Sequence, residues 1–182
     1  KDGLLPIREV LGRDEYFYRM RDLVEDILAE SPVESQWGKL PGDDTEVNGE
    51  MLQSLCRLFC ATSDPEFLEA AKRIGDAYFL EVLPACNGLP CHRWDFTEHK
   101  IAADRFSLND HGNEIVGGLS ELFLACKTPA PERYAKYEPA MRRLLDTLLE
   151  KATNEDGLWY SVIVPSTLEV QSKGTPDTWG YA

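Results

Sequence analysis

Asp110-His-Gly-Asn-Glu-Ile-Val-Gly-Gly-Leu-Ser-Glu-Leu-Phe-Leu-Ala-Cys126 is the stretch that decides the fold. It opens on a carboxylate, an imidazole and an amide. It then places Ile115, Val116, Leu119, Leu122 and Phe123 at helical spacing, with no Lys or Arg before Lys127. A helix so poor in charge is expected to be buried on most of its sides. Gly117 and Gly118 lower the helix propensity of residues 110–126, which predicts the close approach of a neighbouring element.

Working outward, the acidic opening recurs as Glu46-Val-Asn-Gly-Glu50 and Asp177-Thr-Trp-Gly-Tyr181. The first residues of the three copies are 64 positions apart (46 to 110) and 67 apart (110 to 177). A period of that size predicts an array of helical hairpins. Residues 46–62 repeat the charge-poor pattern through Met51, Leu52, Leu55, Cys56, Phe59 and Cys60. Each charge-poor segment is followed by an amphipathic one. The first is announced by Asp64-Pro65-Glu66, which supplies a cap, a first-turn proline and a first-turn acid. Phe67, Ala71, Ile74 and Tyr78 mark its inner face. The second covers residues 131–152, with Met141, Leu144, Leu145 and Leu148 inward, and a further amphipathic helix is expected over 14–30.

The connections differ by type. Those within a hairpin are short, whereas Cys86 to Asn109 and Asn154 to Pro176 are long, aromatic and β-branched. Long segments on one rim of an array usually carry function, and these two predict short strands. Lys1 to Leu5 resembles the end of another such loop, and Trp179-Gly-Tyr-Ala182 the start of another buried helix. The expectation is a single segment, residues 1–182, of a longer array whose missing parts cover both ends.

The balance of 19 basic against 32 acidic residues gives a net charge of −13. That argues against nucleic acid or an anionic membrane surface as the main partner. A local Arg or amide cluster is still able to bind an anionic sugar. No apolar run approaches membrane-spanning length. Cys86-x4-Cys91-His92 fits no standard zinc spacing and lacks a second ligand pair, so neither a metal nor a cofactor is expected.

Alternating inner and outer helices, long loops on one rim and acid-plus-aromatic helix openings resemble the six-hairpin glycosidases, a group that includes the unsaturated glucuronyl hydrolases. The resemblance implies an all-α class: a partial (α/α) toroid of about three hairpins, with short strands in the long loops. It implies a pocket where the inner helices begin and an oligo- or polysaccharide substrate. Asn109-Asp110-His111-Gly112 is also similar to the Asn-Asn-His segment of toroidal polysaccharide lyases acting on uronate polymers, with Asp110 in place of the middle amide. There an amide binds the uronate carboxylate, and an imidazole and a tyrosine (here Tyr160) move the protons.

The candidates each have an ordinary reading beside the functional one. Asp110 and Asp177 are either helix caps or the two carboxylates that glycosidic hydrolysis requires. His111 is the histidine best placed for proton transfer. Trp94 and Trp179 are either core residues or platforms for the apolar faces of a sugar. Arg105 either binds a sugar carboxylate or forms a surface ion pair. A non-catalytic helical scaffold or sugar-binding module is the alternative to both enzymes. The first acidic copy, Glu46 to Glu50, follows a shorter loop and is read as architecture only.

Overall fold

A computed structural model describes residues 3–109 and 111–174. The chain enters through α1 (Leu4–Leu11) and α2 (Glu15–Ala29) and then builds two hairpins. The first pairs α3 (Thr45–Thr62) with α4 (Pro65–Ala77), and the second pairs α6 (Glu114–Cys126) with α7 (Pro131–Lys151). After α4 the helix runs on through a π-helical turn, Tyr78–Val82, and a last turn, α5 (Leu83–Ala85).

Local chemistry explains these starts. Asp44 is extended and its Oδ1 accepts the Val47 N–H at 2.8 Å, opening α3. Asp64 does the same for Glu66 at 3.0 Å, with Pro65 at the first helical position of α4. Each such cap is worth about 1 kcal/mol. Leu4 and Leu5, expected to end a loop, instead open a helix, because they find the apolar core to pack against.

The all-α expectation is overturned. The described residues are 56% helical and 15% strand, a mixed α/β fold rather than a purely helical one. β1 (Val33–Ser35) and β2 (Gly38–Leu40) form a hairpin, as do β3 (Arg93–Asp95) and β4 (Lys100–Ala103). β5 (Phe106–Ser107), β6 (Val162–Val164) and β7 (Glu169–Ser172) form a three-stranded antiparallel sheet. The reason is the backbone. Segments this long and this rich in β-branched and aromatic residues must pair their N–H and C=O groups where they cross the core, and strands do so. β5 lies in one long connection and β6 in the other, paired at Phe106–Ile163, so the two connections are tied to each other.

The inner helices α3 and α6 lie side by side and run parallel. The Arg57 guanidinium meets Glu121 at 2.9 Å, and the Gln53 amide donates to the Glu114 carbonyl at 3.1 Å. The reason for the close approach is Gly49 and Gly118. A Cβ on Gly49 would sit 2.4 Å from the Glu114 carbonyl carbon, and one on Gly118 would sit 2.7 Å from the Gly49 oxygen. Around this crossing Leu52, Leu55, Leu58, Leu119 and Leu122 lose all contact with water. Each such side chain contributes roughly 2 kcal/mol. No helix among the described residues is long and apolar enough to cross a membrane.

The outer helices are joined by a buried charge. Asp76 of α4 accepts from Arg133 Nη1 at 2.9 Å and from the Tyr137 hydroxyl at 2.8 Å, both on α7. Burial, and then the bond to Asp76, push the Tyr137 phenol well above its ordinary range, so it stays a donor. Replacing Asp76 with Ala removes both bonds and leaves the Tyr137 hydroxyl only the Lys72 carbonyl at 3.3 Å, and a loss of about 2 kcal/mol is expected in urea unfolding. Asp76→Asn keeps an acceptor and should lose less. Equal stability of Asp76→Ala and the parent would show that this link holds nothing.

Candidate functional site

The first turns of α3 and α6 open on the same rim, and the long connections cross it. Asp44 and Arg93 form an isolated antiparallel bridge, and the Trp94 N–H donates to the Asp43 carbonyl at 2.9 Å. The Arg93 guanidinium closes on the Asp43 carboxylate at 2.6 Å. This bond, and the charge of Asp43, raise the Arg93 pKa, so the arginine remains a cation throughout.

α6 begins at Glu114 with Asn113 at its cap, later than the expected start at residue 110. Ahead of it His111 adopts a left-handed conformation (φ 66°), an uncommon geometry for a residue with a side chain. Glu114 folds back over this turn, accepting the N–H of Gly112 at 2.7 Å and that of His111 at 3.3 Å. The turn directs the imidazole across to the first hairpin, where its Nδ1 lies 2.9 Å from Glu46 Oε1. A carboxylate against one ring nitrogen fixes the orientation of a histidine and favours a defined proton position. Both side chains remain accessible, His111 at 65% and Glu46 at 41%.

The other expected residues fall as follows. Asp110, Asp177 and Trp179 lie outside the described residues. Asn109 is half-buried at the end of the segment that carries β5. Tyr160 is half-buried just before β6, its N–H donating to the Ala152 carbonyl at 2.7 Å. Arg105 is exposed, and its carbonyl accepts the His92 N–H at 2.6 Å. Trp94 belongs to the core at 3% exposure, so it offers no open face for stacking. The structure therefore joins His111 to the first acidic copy through Glu46, a residue read as architecture from the sequence. The 64-residue period was the available signal, since it equates Glu46 with Asp110, next to His111.

Below Trp94 lies a second carboxylate centre. Glu81 sits in the π-helical turn, a feature often found at functional positions. Its Oε1 accepts the Trp94 indole N–H at 2.8 Å and meets His99 Nδ1 at 2.9 Å. Its Oε2 accepts from Gln36 Nε2 at 2.9 Å and Trp37 Nε1 at 3.1 Å. One carboxylate thus ties the β1–β2 turn and the β3–β4 hairpin to the helix. Burial pushes its pKa up, but the bonds from Gln36, His99, Trp94 and Trp37 outweigh that and hold it below the ordinary glutamate value.

Cys86 and Cys91 are buried beside this hairpin, and the Cys91 thiol donates to the Arg93 carbonyl at 3.2 Å. A bond with Cys86, and then burial, keep the Cys91 thiol protonated. Among the described residues no cluster of three or more His, Cys, Asp or Glu side chains is placed to hold a metal ion. Comparison with protein-family models returns no match, and comparison with curated protein sequences returns none either.

A depressed carboxylate stabilises the fold above the pKa of its unfolded form, and that contribution disappears as pH falls through the folded value. Glu81→Gln is therefore expected to lose about 2 kcal/mol near neutrality, with the difference from the parent closing below about pH 4. Urea unfolding at a series of pH values measures this. A constant difference across the range would remove Glu81 as the charged anchor of the hairpin.

Proposed function

We propose that this rim is the working end of a carbohydrate-active enzyme, a glycoside hydrolase acting on an oligo- or polysaccharide, of the kind found among six-hairpin glycosidases. The observation that carries the reading is the Glu46–His111 contact of 2.9 Å, which brings residues of two successive acidic segments together where the inner helices begin. The long aromatic connections, joined through β5 and β6, give that rim its wall.

In this reading Asp110 and Asp177 form the acid/base pair. One protonates the leaving oxygen, and the other activates water or attacks the sugar. His111, oriented by Glu46, serves the proton transfers. Asn109, Arg105, Tyr160 and Trp179 hold the sugar, while Trp94, buried in the core, does not. The carboxylate of Glu46 against His111 favours hydrolysis over the lyase reading, because a lyase must neutralise a uronate and a fixed negative charge opposes that.

Reducing-end release from a panel of oligosaccharides, read beside ultraviolet absorbance for unsaturated sugar, tests the proposal. New reducing ends without new absorbance are expected. On a substrate the parent turns over, Asp110→Asn and Asp177→Asn should each lower kcat by about 10²- to 10⁴-fold. Glu46→Gln should lower kcat by about tenfold and alter its pH profile while leaving KM nearly unchanged. Unsaturated product would overturn hydrolysis. Full turnover in both Asp variants would overturn the acid/base assignment.

A further inference from the structure

On the outer side of the molecule a groove of about 490 Å³ runs between the end of the first hairpin and α7. None of the rim residues lines it. Its floor is apolar, with Phe79 buried beneath, and Leu80, Pro84 and Pro139 form its sides. A volume of this size suits a small organic molecule. An apolar floor by itself is indifferent to what lies on it. The two ends are not.

Lys136 and Arg143 line the groove from α7, seven residues apart on one helix. Two helical turns separate their Cα atoms by about 10 Å along one face. Lys136 Nζ stands 6.0 Å from the Trp37 ring centroid, an attraction that biases its position. Arg143 is held differently. Its stem lies over Gly88, where a Cβ would come within 2.7 Å of Arg143 Cγ. The Gly88 turn is itself pinned, because Asn87 Nδ2 donates to the Pro165 and Ser166 carbonyls at 3.0 and 2.9 Å.

Both are cations on a chain of net charge −13, where an acidic neighbour would be the default. Glu138, the carboxylate lying between them on α7, is taken by Arg142 at 2.7 Å. Among the described residues neither Lys136 nor Arg143 has a carboxylate within ion-pair distance. An apolar trough closed at each end by a positioned cation is complementary to a specific shape of ligand.

We propose that this groove binds an elongated apolar molecule carrying a carboxylate at each end, an α,ω-dicarboxylate whose acid groups stand about 10 Å apart. The apolar chain covers Leu80, Pro84 and Pro139, one carboxylate meets Lys136, and the other accepts from the Arg143 guanidinium, whose paired N–H groups match a carboxylate edge. The site is independent of the rim and of the reading given for it.

Titration calorimetry with decanedioate, a saturated ten-carbon chain with an acid at each end, tests this. Saturable one-to-one binding is expected, and decanoate, with one acid, should bind about tenfold more weakly. Lys136→Gln and Arg143→Gln should each weaken decanedioate by about tenfold while leaving decanoate less affected. Both side chains are exposed on α7, so thermal unfolding of the variants should match the parent. Absence of saturable decanedioate binding by the correctly folded parent would overturn the proposal. So would equal affinity for the two acids, or variants that bind decanedioate as the parent does.

Discussion

The structure depends on one contact, the backbone of α3 against the backbone of α6 at Gly49 and Gly118. A side chain on either glycine would enter the space of the other helix's main chain. Because the helices meet without an intervening layer, they share a register. Arg57 faces Glu121, sixty-four residues on, the same interval that separates Glu46 from Asp110. Other contacts span intervals on either side of it, 61 for Gln53 to Glu114 and 69 for Gly49 to Gly118, so the period approximates the contact register. The parallel crossing brings the first turns of the two helices together, and Glu46 reaches His111 as a consequence.

The long connections follow from the same geometry. The segment that leads to α6 and the segment that follows α7 cross the same rim, and unpaired backbone there would be expensive. Pairing β5 with β6 meets that demand. Anchoring the β3–β4 hairpin falls to charge. Arg93 is held by Asp43 and Trp94 by Glu81, so one side of the hairpin is fixed to the start of α3 and the other to the π-helical turn. That turn interrupts the regular helix where Glu81 must face the hairpin.

Much of this was legible in the residues. Apolar spacing located α2, α3, α4, α6 and α7, and Asp64-Pro65-Glu66 marked the start of α4 by capping chemistry alone. Gly118 announced a close neighbour, although Gly117 beside it meets only the Gln53 side chain. What failed, failed for tertiary reasons. The all-α class overlooked how much paired backbone the long segments require. Trp94 reads first as core and second as a platform, and Glu81, thirteen residues earlier, decides it by accepting its N–H. Glu46 reads as a cap because no local pattern reveals that α6 lies beside it. The helix start at residue 110 was displaced by a left-handed residue, and the type of His111, though among those that visit that conformation more often, signals it only weakly.

Thermal unfolding of Gly49→Ala tests the account most directly, because the two available forces act with opposite signs. In a helix free of neighbours, Ala in place of Gly stabilises by about 1 kcal/mol. At a backbone-to-backbone crossing the added methyl drives the helices apart, and a loss of about 2 kcal/mol or more is expected. A clearly lowered Tm is expected for Gly49→Ala. A Tm equal to or above that of the parent would show that α3 and α6 do not meet there, and the shared register would fall with it.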